Sequence, residues 1–530
     1  MTFVVVVADD ISELGVGPLR EAEGFEIVST NGDAARLAAE LPRADALLVR
    51  SATQVTTELL NLGSRLKVIG RAGIGVDNID VDEATRRGVA VLNAPGANTV
   101  SAAEHTFALL LGLLRNIPDA VVSMRDGKWD RKSFGGTELR GKVMGLVGLG
   151  RIGAHVAGIA RAFGMTVMAF DPFLPPTRAK ELRVELRSLD ELLGAADVIS
   201  LHAPATDETH HMLNAERLAL LKPSAVIVNA ARGALIDDRA LVDAVENGRL
   251  AGAALDVFDP EPLPGDSPLR ASPRILLTPH LAASTQEAQE RVAIEICHSV
   301  RLALETGDIG GAVNVPGVSS EVLSRARPAM DLARRLGRLA GYLAHGPVDA
   351  IRVHFGGPDD GSAKPVTLAA VQGVLESLGV GPVSLVNASV LTDERNIGVS
   401  RVVGPPAPGF ETSVGVRVGA SGRRFAVVGA LEPGRLGRVI QIDEFQVDIP
   451  AEGHVIILRN RDVPGVIGRV GTLLGAAKVN IGFYHQSRTT PSGGAALAAI
   501  SVDQPPPAAV LDELDEVPEI NEVRVAHLDA

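Results

Sequence analysis

Residues 142–172 read KVMGLVGLGRIGAHVAGIARAFGMTVMAFDP, and the rest of the chain is best understood outward from this stretch. An apolar run ends at a turn that contains three glycines. Small and apolar residues at helical spacing follow, and a second apolar run ends at an acid. The pattern predicts, in order, the strand Val143–Val147, the turn 148–153, a helix, the strand Thr166–Phe170 and Asp171.

The turn has the residue types that a bound pyrophosphate requires. Gly148 permits the tight turn, Gly150 lets the pyrophosphate approach the backbone, and Gly153 lets the helix pack close to the strand. The helix N-terminus then presents free amides to the phosphates. Asp171 lies 18 residues beyond Gly153, where a carboxylate can accept the ribose hydroxyls. We therefore predict a dinucleotide-binding unit; the alternative, an ordinary glycine-rich turn, leaves Asp171 unexplained.

Length, charge and cysteine content set the broad class of the protein. A chain of 530 residues exceeds a single hydrophobic core, so we expect about two to four domains. The net charge of −13 argues against binding of nucleic acid or of a membrane surface by charge. The one cysteine, Cys297, excludes an intramolecular disulfide and fits a reducing, cytoplasmic location. No apolar run reaches membrane-spanning length, and we expect no metal site.

Residues 1–97 alternate short apolar runs with amphipathic stretches, a pattern typical of an α/β domain. Ligands of open α/β sheets bind at the carboxyl ends of the strands. Arg50 and Arg71 follow two of the predicted strands, so they are candidates for binding an anion; the alternative is a solvated surface arginine. The glycines of 71–75 favour an anion-binding nest of backbone amides. The predicted strands are 3–8, 26–29, 46–49, 66–70 and 89–92.

Ser101 and Glu104 have the spacing of a capping box, which predicts a long helix over 101–114 that crosses between two domains. Beyond the dinucleotide unit, three further strand ends carry Arg232, Glu261 and His280. Histidine titrates near working pH and can take a hydroxyl proton, a carboxylate can fix its tautomer, and arginine binds carboxylates with two hydrogen bonds. Any one of the three alone would be read as a structural residue. Together beside a dinucleotide site they indicate oxidation of an alcohol by hydride loss.

Several blocks of the chain resemble the D-2-hydroxyacid dehydrogenase family. GLVGLGRIG, NAARGALID, DVFDPEP and TPHLAAST are similar to its signature blocks, and LLVRSAT, GRAGIGVDNID and GKWDRKSF resemble the phosphoglycerate dehydrogenases within it. The resemblance implies a Rossmann cofactor domain over 98–283, inserted into a flavodoxin-like lid domain formed by 1–97 plus 284–310. Both would hold doubly wound parallel sheets, and the cofactor would be NAD.

The resemblance also implies roles for individual residues. Arg232, Glu261 and His280 would be catalytic. Asp256 would orient the nicotinamide amide, and Arg131 would reach the site of a neighbouring subunit in a homo-oligomer, a dimer or a tetramer. The substrate would be held by Arg50, Arg71, Gly73, Ile74 and Arg131. The cofactor would be bound by Gly148, Gly150, Arg151, Ile152, Gly153, Asp171, Ala230, Ala231, Arg232, Asp256, His280, Leu281, Ala282 and Ala283.

The chain continues well past this unit without a second catalytic trio. Residues 317–452 read as an α/β domain and resemble the intervening domain of long-form phosphoglycerate dehydrogenases, in which relatives bind an anionic modulator. Residues 453–530 predict the order βαββαβ, which is ferredoxin-like. They resemble an ACT domain, a small-molecule regulatory module, and imply an amino-acid effector at Asn460, Asp462 and Asn480. We expect Asp462 and Asn480 to bind it across an interface between the tails of two subunits. The alternative for this last unit is a dimerisation module without a ligand.

The resemblance as a whole implies NAD-dependent oxidation of 3-phosphoglycerate, at the entry to serine synthesis, with L-serine as a possible effector. Two alternatives stay open. One is a related reductase acting on glyoxylate, hydroxypyruvate or lactate, against which the ACT-like tail and the paired arginines argue. The other is a dinucleotide-sensing transcriptional corepressor on the same fold, which would not need an amino-acid-binding tail.

Overall fold

The computed structural model describes residues 2–344, 346–358, 360–432, 437–489 and 494–529. Its first sheet has five parallel strands in the order β2-β1-β3-β4-β5, which is the flavodoxin-like order. Apolar side chains of β1 and β3 are buried because helices cover both faces of the sheet. The strands are β1 (Phe3–Val7), β2 (Phe25–Ser29), β3 (Ala46–Val49), β4 (Val68–Arg71) and β5 (Ala90–Leu92), and the helices are α1 (Glu13–Glu21), α2 (Ala34–Glu40), α3 (Thr57–Leu62) and α4 (Val81–Arg86).

The second sheet has seven parallel strands in the order β12-β11-β10-β9-β6-β7-β8. The strand β6, which precedes the glycine turn, lies between β9 and β7, so the turn opens at the point where the strand order reverses. The strands are β6 (Val143–Val147), β7 (Thr166–Phe170), β8 (Glu185–Leu186), β9 (Val198–Leu201), β10 (Val226–Asn229), β11 (Gly252–Leu255) and β12 (Ile275–Leu277). The helices are α5 (Thr99–Leu114), α6 (Ile117–Arg125), α7 (Arg151–Ala162), α8 (Pro176–Glu181), α9 (Leu189–Ala195), α10 (Ala215–Leu218) and α11 (Asp238–Glu246).

After β12 the chain returns to the first sheet through α12 (Gln286–Thr306). Ile296 and Val300 of this helix are buried in the core of the first sheet. Gly70 of β4 has no room for a side chain, because a Cβ there would lie 2.7 Å from Val300. The first sheet and α12 therefore form one unit that is interrupted in sequence by the second sheet.

A six-stranded sheet follows, in the order β14-β13-β15-β16-β17-β18, with β13 and β14 parallel and the other pairs antiparallel. The long helices α13 and α14 pack against each other and cover one face of it. The helices are α13 (Ser320–Leu343), α14 (Ala363–Ser377) and α15 (Ala388–Asp393). The strands are β13 (Val348–Gly356), β14 (Gly398–Gly404), β15 (Thr412–Ala420), β16 (Arg423–Leu431), β17 (Arg438–Ile442) and β18 (Phe445–Pro450).

The last unit has the predicted order βαββαβ and an antiparallel sheet ordered β20-β21-β19-β22. Its two helices cover one face. On the other face, Val455, Ile457 and Leu497 are buried in the same apolar cluster as α13 and the six-stranded sheet. The elements are β19 (His454–Arg461), α16 (Val466–Ala476), β20 (Ile481–Arg488), β21 (Ala495–Val502), α17 (Ala508–Asp515) and β22 (Ile520–His527).

The α/β fold class with a ferredoxin-like C-terminal unit is confirmed. The capping box at Ser101 is wrong: helix α5 begins two residues earlier, with Asn98 as its N-cap, and the Ser101 hydroxyl donates to the carbonyl of Ala282 instead. The residue boundaries given above for the four domains stay a prediction.

Candidate active site

A cleft of about 1370 Å³ lies between the first and second sheets, where the carboxyl ends of their strands face each other. Most of the predicted substrate and catalytic residues line it, together with part of the predicted cofactor set. These cleft residues are Arg50, Arg71, Gly73, Ile74, Ile152, Ala230, Ala231, Arg232, Glu261, His280, Ala282 and Ala283.

The glycine turn has the geometry of a phosphate cradle. Gly148 has a φ of 92°, and a Cβ there would lie 2.6 Å from the carbonyl oxygen of His202. Gly153 packs so closely that a Cβ would lie 2.3 Å from the carbonyl oxygen of Gly148. Gly150 is the N-cap of α7, and a Cβ there would meet nothing within 4 Å. The turn is therefore closed toward the protein and open toward a ligand, beside the exposed first residue of the helix, Arg151.

Asp171 follows β7 directly and is oriented by two backbone amides. Its Oδ2 accepts from Leu149 N (2.9 Å) and its Oδ1 accepts from Phe173 N (3.0 Å). The carboxylate thus joins the end of the second strand to the glycine turn. A cofactor with its pyrophosphate on the turn would have its adenosine ribose within reach of this group.

His280 and Glu261 form a hydrogen-bonded pair. The Nδ1 of His280 lies 2.8 Å from Oε2 of Glu261, while Oε1 of Glu261 accepts from Phe258 N at 3.0 Å. The hydrogen bond to Glu261 raises the pKa of His280 above its ordinary value, against the opposing effect of burial. Burial raises the pKa of Glu261, but the bonds from His280 and Phe258 outweigh it and leave the pKa lowered. Since Nδ1 is bound, Nε2 is the nitrogen that can accept a proton from a ligand.

Arg232 reaches across the cleft to the lid. Its Nε lies 3.0 Å from Oδ2 of Asp77, and its Nη1 donates to the carbonyl of Ala231 at 2.6 Å. The guanidinium lies so close to the lid loop that a Cβ on Gly75 would be 2.0 Å from Nη2. Asp77 was missed by the sequence interpretation, because nothing in the local pattern pairs it with a residue 155 positions away.

Arg50 and Arg71 lie on the lid side of the same cleft. Burial, and then the positive charge of Arg232, lower the pKa of Arg71 to about 10. The Nε of Arg71 is buried and has no hydrogen-bond partner among the described residues, which marks a donor available to an anion. The amide of Gly73 donates to the carbonyl of Arg71 at 2.8 Å, so a bound carboxylate must displace that bond or use the amide of Ile74.

Asp256 lies beneath the cleft and is fully buried. Its carboxylate accepts from Thr278 Oγ1 (2.6 Å), Leu281 N (2.8 Å) and Ala282 N (2.9 Å), and His105 Nε2 lies 3.1 Å away. Burial raises the pKa of Asp256, but these hydrogen bonds outweigh it and leave the pKa lowered. A contact with the nicotinamide amide requires one of them to be exchanged, so that contact stays a prediction.

Family models match three consecutive parts of the chain. Residues 107–282 match the D-isomer specific 2-hydroxyacid dehydrogenase, NAD binding domain. Residues 325–443 match the D-3-phosphoglycerate dehydrogenase intervening domain, and residues 454–519 match the ACT domain.

Relatives match along nearly the whole chain. A D-3-phosphoglycerate dehydrogenase of Synechocystis sp. is 41% identical, over 99% of this chain and 94% of the relative. One from Mycobacterium tuberculosis is 44% identical over 95% of both chains. The chain belongs to the D-3-phosphoglycerate dehydrogenase family. The matched NAD-binding domain and these relatives together show that the protein is an NAD-dependent oxidoreductase.

Solved structures match just over half of the chain. A D-lactate dehydrogenase from Aquifex aeolicus, complexed with NAD and lactic acid, is 33% identical with a TM-score of 0.51. It covers 58% of this chain and 96% of its own. An NAD-dependent formate dehydrogenase from Staphylococcus aureus, in complex with NAD, is 30% identical with a TM-score of 0.52, over 57% of this chain and 96% of its own.

Two of the predicted effector residues, Asp462 and Asn480, lie far apart in the ACT unit. Asn480 precedes Ile481, which pairs with Val502, and Val502 pairs with His454 at the start of β19. Asp462 follows the other end of β19, so the two residues lie roughly 25 Å apart within one chain. Both can meet one small ligand only if a second copy of the chain supplies one of them.

The local contacts of the effector residues differ. Asp462 lies 3.5 Å from Nη1 of Arg488, and Asn480 Nδ2 donates to Asp503 Oδ2 at 2.7 Å. Asn460 is buried inside the unit, with its Oδ1 lacking a partner among the described residues. A role for Asn460 in contacting a ligand therefore requires the core to open and stays a prediction.

The segment around Arg131 lies outside the cleft. Arg131 is exposed, α6 has no buried residue, and Trp129 is 79% exposed. In the described ranges no group of three or more His, Cys, Asp or Glu side chains could hold a metal ion. Over the same residues no single helix is long and apolar enough to cross a membrane, although α5 and α6, bent by 62°, are so when taken together.

Proposed function

We propose that the protein oxidises 3-phospho-D-glycerate to 3-phosphohydroxypyruvate with NAD, the first step of L-serine biosynthesis. The observation that carries the proposal is the cleft, in which the His280–Glu261 pair faces three arginines from two sheets. A substrate with a carboxylate and a phosphate at opposite ends matches that concentration of positive charge. The two relatives described above carry this substrate in their names, and this chain covers 94% and 95% of their lengths, which supports the same substrate.

Each residue has a distinct role in the proposed reaction. His280 Nε2 accepts the proton of the C2 hydroxyl, and Glu261 stabilises the resulting imidazolium through Nδ1. Arg232 exchanges Asp77 for the substrate carboxylate and stabilises charge on the developing C2 carbonyl oxygen. Arg50 and Arg71 hold the anionic end that faces the lid. The nicotinamide, when bound, accepts the hydride from C2.

The cofactor is held by the chain's own turn and helix end. The open backbone at Gly150, the amides at the start of α7 and the carboxylate of Asp171 fit a pyrophosphate and a ribose in sequence. Arg151, Ile152 and the segments 230–232 and 280–283 complete the proposed contacts. His280 would then take the proton of the C2 hydroxyl while the hydride leaves C2 itself, so the two acceptors would act on neighbouring atoms of the substrate.

A turnover assay tests the proposal directly. Purified protein with NAD should oxidise 3-phosphoglycerate with a kcat/KM at least about 10²-fold above that for lactate or glycolate, because those acids lack the second anion. A preference for glyoxylate or hydroxypyruvate reduction would assign the protein to the related reductases. NADH binding without turnover of any of these acids would favour the corepressor alternative.

We further propose that L-serine acts as a feedback inhibitor through the ACT unit of a cytoplasmic homo-oligomer, a dimer or a tetramer. The carboxylate of Asp462 can meet an ammonium group, while the free amides at the start of α16 meet a carboxylate. Asn480 then comes from a second copy, as the distance within one chain requires. The exposed side chains of α6 and Trp129 support a further contact between copies.

A further inference from the structure

Helix α5 supports the segment that carries His280. Ser101 and His105 are four positions apart, so both lie on the same face of the helix. The Ser101 hydroxyl donates to the carbonyl of Ala282 at 2.7 Å, and it accepts from the Thr285 hydroxyl at 3.2 Å. The His105 imidazole lies on Asp256, with Nε2 3.1 Å from Oδ1. Two side chains of one helix face therefore hold the stretch that leaves β12.

Asp256 holds the backbone on both sides of the general base, His280, through hydrogen bonds. The Asp256 carboxylate accepts hydrogen bonds from the backbone amides of Leu281 and Ala282. The backbone carbonyl of Asp256 also accepts one from His280 N at 2.9 Å. Three consecutive amides of the chain thus end on one residue. Because Asp256 is fully buried, no solvent competes for these bonds, and removing a donor from the carboxylate leaves it under-satisfied.

The backbone at His280 needs such support. His280 has a φ of 53°, in the left-handed region that residues other than glycine seldom adopt. Its side chain must nevertheless reach Glu261 with Nδ1 and present Nε2 to the cleft. A small rotation of the backbone at this position moves Nε2 away from the substrate hydroxyl.

We propose that His105 is a positioning residue for His280, acting through Asp256. An ionised Asp256 only accepts hydrogen bonds, so the Nε2 of His105 is the donor in this contact. Through this bond His105 orients the carboxylate that fixes the amides of 280–282. The inference rests on the proposed role of His280 as general base, although the support of the segment is independent of the substrate.

The experiment compares His105→Leu, His105→Gln and Thr106→Val in the full chain. Leucine removes the donor at similar size, and the glutamine Nε2 can take the place of the imidazole Nε2. Thr106→Val is the control: the Thr106 hydroxyl donates to the Ala102 carbonyl within the same helix, and the residue is next to His105 in α5 and more deeply buried. For His105→Leu we expect kcat to fall about 10- to 100-fold. The KM for substrate should stay within about 2-fold, because the lid arginines are untouched, whereas the Kd for NADH should rise along with the displacement of 280–283, which the cofactor is proposed to contact.

Three further readouts separate positioning from a general loss of structure. His105→Gln should recover most of kcat, and Thr106→Val should resemble the unaltered chain. The acidic limb of the kcat/KM profile should move to lower pH in His105→Leu, because a displaced His280 loses part of its bond to Glu261. Hydrogen exchange of the peptide 278–285 should quicken, while peptides of the first sheet keep their rates.

The outcomes are distinguishable from a wrong substrate assignment. If 3-phosphoglycerate is not turned over, the exchange rates of 278–285 and the kinetics with whichever 2-hydroxy acid is used still test the role of His105. A His105→Leu variant with unchanged kcat and unchanged exchange at 278–285 would overturn the proposal. A loss that His105→Gln fails to recover at all would also overturn it.

Discussion

Replacing Asp171 by Asn should weaken the preference of the protein for NAD over NADP. NADP carries a phosphate on the ribose hydroxyl that Asp171 would otherwise accept. In the unaltered chain two like charges would face each other at that point. No arginine or lysine occurs at 172–177 to bind the phosphate, and Arg178 is paired with Glu181 at 2.7 Å.

The size of the preference can be worked out from the position of the carboxylate. Two unit charges about 4 Å apart repel by about 1 kcal/mol in water and by about 4 kcal/mol at an effective dielectric of 20. Asp171 is half-buried, so we take about 1–2 kcal/mol per unit charge. A phosphate of charge about −2 then gives roughly 2–4 kcal/mol, or about 30- to 1000-fold in kcat/KM.

The assay measures kcat/KM for both cofactors at saturating substrate, in the unaltered chain, in Asp171→Asn and in Asp190→Asn. Asparagine keeps an oxygen for the amide of Leu149, so the glycine turn should stay in place. Asp190 is an exposed acid paired with Arg217, and its neutralisation should leave the ratio unchanged. An unaltered chain that prefers NADP, or an Asp171→Asn variant with an unchanged ratio, would refute the reasoning.

Four further predictions concern the substrate site and its regulation. His280→Ala should lower turnover by about 10²–10⁴-fold while NADH binding is retained. Glu261→Gln should shift the acidic limb of the kcat/KM profile to lower pH, because it removes the carboxylate that raises the pKa of His280. Initial rates measured over about pH 5–9 check both predictions. Arg50→Ala should reduce kcat/KM for 3-phosphoglycerate far more than for lactate-like acids, and equal losses would make Arg50 structural. L-Serine should inhibit the full chain but inhibit Asp462→Ala much less in the same titration; equal sensitivity would move the effector site elsewhere.

Most of the fold could be predicted from local sequence patterns. The turn 148–153 and the strands beside it were predictable because their periodicity, glycine positions and acid all lie within 31 residues. The position of Ser101 inside α5 was not predictable, because residues with the spacing of a capping box can also occur in the interior of a helix. Asp77 and His105 could not be assigned from sequence. Arg232, the partner of Asp77, is brought close only by the packing of the two sheets, and Asp256, the partner of His105, only by the packing of α5 against the second sheet.

The effector residues show the same limit at the level of register. Asp462 and Asn480 both flank predicted elements, but their separation depends on how β19 pairs with β21 and β21 with β20. Strand pairing joins distant parts of the chain, so no local pattern reports it. The register places the two residues at opposite ends of β19 within one chain, which is the separation that the predicted site across a tail–tail interface requires.

The apolar interior does not follow the divisions suggested by sequence. Val386, from the segment between α14 and α15, is buried with the first sheet, and Met330 and Leu368 pack against both that cluster and the one shared with the last unit. The clusters of the seven-stranded sheet contain only residues between 103 and 277. In a calorimeter, four sequence units should therefore melt as two cooperative blocks, and serine should raise the melting temperature of the larger block, which lacks the NAD turn.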